Sequence, residues 1–451
     1  MAPLSLLLQP RWSRVVLTSL VLVWTGSPAA AQSRPNIVFL LSDDHAAHAI
    51  SAYRPHLRYG ARLPDTPRLD GLAASGMLFV DAFVTNSICA PSRATVLTGQ
   101  YGHLNGVMTN REALHPSSVT FPLLLRDAGY ETALFGKWHL RSEPAGFEHF
   151  EVLAGQGPYY NPTLISHSDT VAYIGYGPDI ITERALAWMR EHAAAADDRH
   201  RAGGPAGPRP FLVMLQFNAP HRYWDPGPEQ VMLFRDTVIA EPATFHDDGA
   251  RRASGFGSQE MTIALDLFDR DLKLTPPDNL TPAQLALWDA AYEAENTAFR
   301  EAALEGEALH RWKYQRYIGD YLRAAMAVDA NVGRVLDFLR DAGLDENTVV
   351  VYASDQGFFL GDHGFFDKRW MYEESLRTPL IVRWPGVVAP GSVNTDLVMN
   401  LDLAQTLLEI GRVTPAAAMQ GRSLVPLLRG HTPADWRDAI YYQFFEYPDW
   451  H

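Results

Sequence analysis

Residues 35–45 read Pro-Asn-Ile-Val-Phe-Leu-Leu-Ser-Asp-Asp-His. The apolar run Ile37–Leu41 is too short for a helix and rich in β-formers, so it predicts a strand buried on both faces. Two carboxylates, Asp43 and Asp44, stand where that strand ends. Three other runs have the same character: Phe211–Phe217 (FLVMLQF), Thr348–Ala353 (TVVVYA) and Leu380–Trp384 (LIVRW). Helical patterns separate them. Leu322, Met326, Val332, Val335, Leu336 and Leu339, just before the third run, have the spacing of a core-facing helical stripe. Strands alternating with helices predict an α/β fold with a largely parallel sheet. In such sheets ligands bind at the carboxyl ends of the strands.

The remaining composition narrows the function. The chain has 451 residues, 47% hydrophobic and 20% charged, an ordinary globular balance. A net charge of −14 sets nucleic acid aside as a partner, since phosphate binding needs a basic face. An anionic substrate would have to meet a locally basic pocket. Arg11 and Arg14, the apolar run Val15–Trp24 and the small residues Gly26–Ala31 predict a signal peptide over 1–31. The apolar run is far short of the ~20 residues that span a bilayer. The expectation is a periplasmic or secreted protein with no membrane span after cleavage. Ala194–Pro210 reads as a loop. Residues from about 228 to 311, polar and rich in helix formers, read as an insertion over one face of a catalytic domain, 32–430. Residues 431–451, with the strand-like Ile440–Phe445, read as the start of a smaller, incomplete C-terminal subdomain.

The chain has one cysteine, Cys89, which cannot form an internal disulfide. A lone cysteine is commonly a buried, inert thiol. Its neighbours oppose that reading: residues 89–99 are Cys-Ala-Pro-Ser-Arg-Ala-Thr-Val-Leu-Thr-Gly. Asp43-Asp44 alone would be a solvated acidic turn. With Asp355-Gln356, which ends the Thr348–Ala353 run, it makes an all-oxygen set suited to a hard cation such as calcium. Lys137 and His139 follow the predicted strand Glu131–Phe135. Alternate residues of an extended stretch point the same way, so both are expected to face one pocket. His221 follows Asn218-Ala219-Pro220; an idle loop histidine and a proton donor are equally good readings of it. Lys368 and Arg369 lie in Phe366-Asp367-Lys368-Arg369.

Together these stretches resemble the type I, formylglycine-dependent sulfatases. Cys89 to Gly99 match every fixed position of that family's signature, C-x-P-S-R followed by x-x-x-L-T-G. The resemblance runs from Pro35 to Gly386 and is nearest to bacterial glycan sulfatases of the N-acetylglucosamine-6-sulfatase-like kind. Met371–Pro379 looks like their segment beside the sulfate pocket. Gly155–Pro162 looks like a segment of sulfatases acting on 6-sulfated N-acetylglucosamine, or equally like packed loop aromatics. The resemblance implies an alkaline-phosphatase-like sandwich, a large mixed, mostly parallel sheet flanked by helices. It implies oxidation of Cys89 to formylglycine by a formylglycine-generating or anaerobic sulfatase-maturing enzyme. It implies hydrolysis of a sulfate ester on a sulfated sugar or polysaccharide. One hydroxyl of the aldehyde hydrate attacks sulfur and displaces the alcohol; the other then loses its proton as the carbonyl reforms and sulfate leaves.

The same resemblance implies one Ca²⁺ per chain, held by Asp43, Asp44, Asp355 and Gln356 with an oxygen at Cys89 completing its shell. Gln356 stands where asparagine is commoner. Arg93, Lys137 and Lys368 would face the sulfate oxygens, His139 the hydrate and His221 the leaving oxygen, with Tyr160 and Arg369 as substrate contacts. Two rival readings use the same residues. One is a formylglycine phosphonate or phosphate ester hydrolase. The other is an inactive glycan-binding homologue, which would have lost a member of this set.

Overall fold

Ten strands make one sheet in the computed structural model, which describes residues 34–201, 209–252 and 254–446. The predicted signal peptide and residues 447–451 of the expected C-terminal subdomain lie outside the described residues. In chain order the strands are β1 (Asn36–Ser42), β2 (Met77–Phe79), β3 (Glu131–Gly136), β4 (His149–Leu153), β5 (Thr163–Ile165), β6 (Thr170–Ala172), β7 (Phe211–Gln216), β8 (Thr348–Ser354), β9 (Leu380–Arg383) and β10 (Ser392–Asn394). Their order across the sheet is β10-β2-β9-β8-β1-β7-β3-β4-β5-β6. From β8 to β4 the neighbours run parallel. β9 is antiparallel to both its neighbours, and β5 and β6 form an antiparallel ribbon at one edge.

The four apolar runs are β1, β7, β8 and β9. The first three lie at the centre of the sheet and are buried along their whole length. That is why their sequences are continuously apolar rather than alternating. Alternation shows instead in which side each residue faces. Val38 and Leu40 of β1 join a core with the helices Gly177–Arg201 and Gly306–Asp341. Ile37, Phe39 and Leu41 join a second core with the helices Cys89–Thr98, Phe121–Asp127 and Leu403–Ile410. The predicted stripe lies on Gly306–Asp341, with Leu322, Val332, Val335 and Leu339 buried. The result is the expected mixed, mostly parallel sheet flanked by helices.

Two local expectations fail. Ala194–Pro210 is not a loop at its start, because the helix Gly177–Arg201 runs into it. Its tetra-alanine, Ala193–Ala196, has the highest helix propensity of any residue type, and the first glycine comes only at 203. Ile440–Phe445 forms no strand. Gln443 N donates to Thr85 O (3.0 Å), while Tyr441 packs on the Tyr101 ring and the Tyr442 hydroxyl bonds the Arg369 carbonyl. Aromatic and β-branched composition makes a strand only where a neighbour supplies a ladder.

Candidate active site

Four parallel strands deliver side chains to one place. β1 runs into Asp43 and Asp44, and Asp44 turns the chain away at φ 65°, a left-handed conformation that aspartate tolerates. β8 runs into Asp355 and Gln356. β3 ends at Gly136 with φ 100°, where an added Cβ would lie 2.0 Å from the Gln216 carbonyl oxygen, so only glycine fits. Lys137 follows it. β7 leads to Asn218 and His221. From the second core layer the helix Cys89–Thr98 brings its first residue to the same point: Cys89 Sγ lies 3.4 Å from Asp43 Oδ1. A small hairpin, Phe359–Leu360 with Phe366–Asp367, delivers Lys368.

The helix also explains its own signature. Pro91 lies in the first turn, where a missing N–H costs nothing. Gly99 closes the helix at φ 61°, its N–H on the Thr95 carbonyl (2.8 Å). The Ser92 hydroxyl bonds the Asp355 carbonyl, pinning the helix to the strand end. Arg93 alone turns its charge into the site. Its Nε is 2.9 Å from Asp355 Oδ2, and its Nη1 donates to Gln216 Oε1 (2.6 Å) and Lys137 O (2.9 Å).

The charges are paired and buried. Lys137 contacts Asp43, and Lys368 Nζ lies 2.6 and 2.7 Å from the two oxygens of Asp44. The Gln356 amide contacts Asp44. His221 Nε2 is 3.8 Å from Asp44 Oδ2, with its side chain still 21% exposed. Burial raises the Asp43 carboxyl, but Lys137, His221, Arg93 and Lys368 together outweigh it and hold the group well below the usual carboxylate range. For Asp355, burial and the neighbouring Asp43 outweigh Arg93 and push it well up. Burial, then Asp43, raises the Cys89 thiol, so the bare cysteine is a poor thiolate. Burial, then Lys137, drops His139 to about 2 and keeps it neutral. Burial also lowers His221, against Asp43 and Asp44.

Three carboxylates (Asp43, Asp44, Asp355) thus face three cations (Arg93, Lys137, Lys368). A dication added to this balanced set leaves it positive, as an anionic ester requires. The residues fit such a cation: oxygens of the three aspartates lie within 4.8 Å of one another. Gln356 Oε1 is buried with no hydrogen-bond partner among the described residues. A half-turn of that amide would present its oxygen where its nitrogen now meets Asp44. On the donor side, Arg93 Nη2 is buried 3.9 Å from Asp43 Oδ1, with no hydrogen bond among the described residues.

Some placements differ from the sequence reading. Lys137 and His139 do not share an extended stretch, because the chain leaves the sheet at Gly136 and His139 is left-handed (φ 56°). His139 still borders the site, its Nε2 accepting from Gln156 Nε2 (3.1 Å). The Tyr160 hydroxyl is committed to the Pro226 carbonyl (2.7 Å) and its ring packs on Tyr176, so it builds a wall. Arg369 pairs with Asp367. Gln216, which anchors Arg93, has no sequence signal beyond an amide closing an otherwise apolar strand.

Three cavities border the site. One of about 650 Å³ includes His139 and Gln156, one of about 860 Å³ includes Arg369 and Trp370, and one of about 390 Å³ includes His221. The last is lined by Tyr159, Tyr160, Tyr223, Arg222 and Arg270. The Tyr159 hydroxyl holds the His221 carbonyl (2.7 Å), and Tyr223 is 43% exposed.

Comparison with known proteins agrees with this geometry. The sequence model of one protein family, described as Sulfatase, matches residues 35–413. An N-acetylglucosamine-6-O-sulfatase of Bacteroides thetaiotaomicron is 40% identical over 457 residues, covering 96% of this chain and 78% of that protein. The N-acetylglucosamine-6-sulfatase of Homo sapiens is 27% identical, covering 92% and 68%. A solved structure of a protein with its substrate D-glucosamine-2-N,6-O-disulfate superposes with a TM-score of 0.86 at 40% identity, covering 93% of this chain and 85% of that one. A phosphonate monoester hydrolase from Silicibacter pomeroyi shares the fold, with a TM-score of 0.62 at 22% identity over 89% and 78%.

Proposed function

This chain belongs to the sulfatase family and is a sulfuric ester hydrolase acting on sulfated glycan; we propose that its substrate carries 6-O-sulfated N-acetylglucosamine or a closely related glucosamine unit, hydrolysed at Cys89 after conversion to formylglycine. The observation that carries this reading is the meeting, at one helix start, of Cys89 with three cations and three carboxylates, beside a buried Gln356 oxygen that has no hydrogen-bond partner among the described residues.

The formylglycine hydrate would supply both the attacking hydroxyl and the one whose deprotonation expels sulfate. The residues around it divide the remaining work. Arg93, Lys137 and Lys368 bind the non-bridging oxygens, which stay anionic throughout, and their burial keeps that field strong. His139, neutral, accepts or donates a hydrogen bond at the hydrate. His221 Nε2 protonates the departing alcohol oxygen. Asp43, Asp44, Asp355 and Gln356 would hold Ca²⁺, which supplies Lewis-acid charge beside the nucleophile. Past His221, the 390 Å³ cleft receives the sugar. An N-acetylglucosamine-6-O-sulfatase relative and a similar protein solved with D-glucosamine-2-N,6-O-disulfate support the 6-sulfate. Among the described residues no helix is long and apolar enough to cross a membrane. A periplasmic or secreted site of action, reached through the residue 1–31 signal, and maturation by a formylglycine-forming enzyme belong to the same proposal.

The test combines mass spectrometry of the Cys89 peptide with turnover of 6-sulfated N-acetylglucosamine, other sulfated sugars and a phosphonate monoester. Aldehyde at Cys89 and preference for the 6-sulfate are expected. Full activity from a chain with only the thiol overturns the formylglycine reading. Faster turnover of the phosphonate overturns the choice of ester.

A further inference from the structure

Away from the catalytic centre, the loop after Glu241 meets the first turn of the helix Gly306–Asp341. There two imidazoles and two carboxylates gather. His246 Nε2 lies 3.4 Å from Glu307 Oε1 and 3.6 Å from Glu241 Oε2. One ligand atom each from His246, Glu307 and His310 lie within 4.8 Å of one another. Glu307 and His310 are three apart on the helix and so share a face. Phe245 stacks on the His310 ring with centroids 4.4 Å apart, fixing it.

We propose that His246, His310 and Glu307 form a second metal site, with Glu241 beside His246 as a fourth oxygen within reach, for a divalent transition cation of the zinc kind. Zinc–nitrogen and zinc–oxygen bonds of about 2.0–2.2 Å put tetrahedral ligands roughly 3.3–3.6 Å apart. The two His246 contacts have that length, and both are longer than a good hydrogen bond. His310 Nε2 is closed off from solvent and has no hydrogen-bond partner among the described residues, so that nitrogen is uncommitted. Two imidazoles with carboxylates select a borderline cation, whereas the all-oxygen set at Asp43 selects a hard one. The two sites therefore take different metals. Arg311 Nε already touches Glu307 Oε1 (2.7 Å) and approaches Glu241 Oε1 (3.5 Å), so it both orients the carboxylates and competes for them.

The site ties down a loop that reaches toward the catalytic hairpin. Thr244 Oγ1 accepts from His363 N (3.2 Å), and Asp247 Oδ2 lies 2.8 Å from His363 Nδ1. His363 sits in the turn of the hairpin that leads to Lys368. Filling the site should therefore stiffen this brace and raise thermal stability, without supplying a group to the reaction.

The experiment uses untagged enzyme, saturated with calcium and freed of transition metals. Zn²⁺ is titrated in competition with a chromogenic chelator, for the wild type and for His246→Ala/His310→Ala. Loss of one outer-shell partner costs about 10–100-fold in metal affinity. Losing two direct ligands should therefore weaken one equivalent of zinc by at least about 100-fold, and should abolish the zinc-dependent rise in Tm. Sulfatase activity in calcium alone should match the wild type, which also serves as the check on folding. Should the double variant misfold, His310→Gln alone carries the test. Co²⁺ gives a second readout, a visible absorption band present in the wild type and lost in the variant. Identical zinc isotherms for wild type and variant, or an unchanged cobalt spectrum, overturn the proposal.

Discussion

The two ends of the active site are built differently. At the sulfur end, Asp43, Asp355 and Lys137 follow central parallel strands, Arg93 sits on a buried helix, and these side chains are 0–1% exposed. At the sugar end, Tyr159, Tyr223 and Arg270 come from segments outside the central strands, and Tyr223 stands 43% exposed. Even the cations differ. Arg270 is forked onto Asp225 (2.5 and 2.8 Å) and lies over the Tyr223 ring (4.8 Å), supporting an aromatic surface instead of facing the reacting group. Rigid strand ends fix a reaction that tolerates little displacement. On the proposed reading, loops carry the recognition surface, where variation costs the fold least.

The sharpest test of this division is at Cys89. Cys89→Ser leaves one hydroxyl, which can take up sulfate but cannot expel it. Turnover should fall by roughly 10⁵-fold or more, as when a nucleophile is removed, and a sulfated serine should appear by mass spectrometry of enzyme exposed to substrate. Residual turnover near wild type would place the chemistry elsewhere.

His221 and Lys137 separate the two ends by leaving group. His221→Ala should cost about 10²–10⁴-fold on a sugar sulfate, where the alkoxide needs a proton, and far less on an activated aryl sulfate. Lys137→Ala should cost roughly 10²–10³-fold on both, since it serves the sulfate oxygens alone. Equal losses on both substrates for His221→Ala would make it a sulfate ligand.

The sulfur end was largely legible in the sequence because it is made of short-range patterns. An apolar run followed by Asp43-Asp44, or by Asp355-Gln356, states both the strand and the ligand at its end. The signature around Cys89 reads, in the sequence alone, as chemistry throughout. Two of its fixed positions are helix punctuation, Pro91 in the first turn and Gly99 at the C-terminus. Gln216 was missed because its task, holding Arg93 across 123 residues of chain, leaves no local trace. His139 reached the site by a left-handed turn that alternation along a strand does not foresee. The sugar end was scarcely legible. Tyr160 attracted notice as an aromatic, but whether an aromatic faces a ligand or a neighbour such as Tyr176 is settled by packing between distant segments.

Beneath the sulfur end, pH should expose how tightly it is closed. His45 is fully buried next to Asp44, its Nδ1 against the Tyr352 hydroxyl (2.5 Å), and burial, then His48, lowers it to about 3. Between about pH 6.5 and 3 the unfolded chain binds a proton there that the folded chain does not. Stability should therefore fall as pH drops through that window, by up to about 1.4 kcal/mol per pH unit from this group. Urea midpoints from pH 7 to 5 should show the slope, and His45→Gln should flatten it. An unchanged slope would mean that His45 takes up its proton without unfolding.

The smallest expected effect bears on the other end. If the sugar lies in the cleft past His221, the Tyr223 face is its platform, since its ring is exposed while Arg270 backs it. Tyr223→Ala would remove that surface while leaving Arg270 paired with Asp225. An aromatic contact of this kind contributes about 1 kcal/mol, so KM for a sugar sulfate should rise roughly fivefold. The turnover number should hardly change, because the contact is equally present in ground and transition states. A small aryl sulfate, too short to reach the platform, should show neither change. A fall in turnover number with KM unchanged would instead show that Tyr223 positions His221, which is two residues away and held by the Tyr159 hydroxyl. The division between a rigid sulfur end and an adaptable sugar end would then have to be redrawn one loop further out.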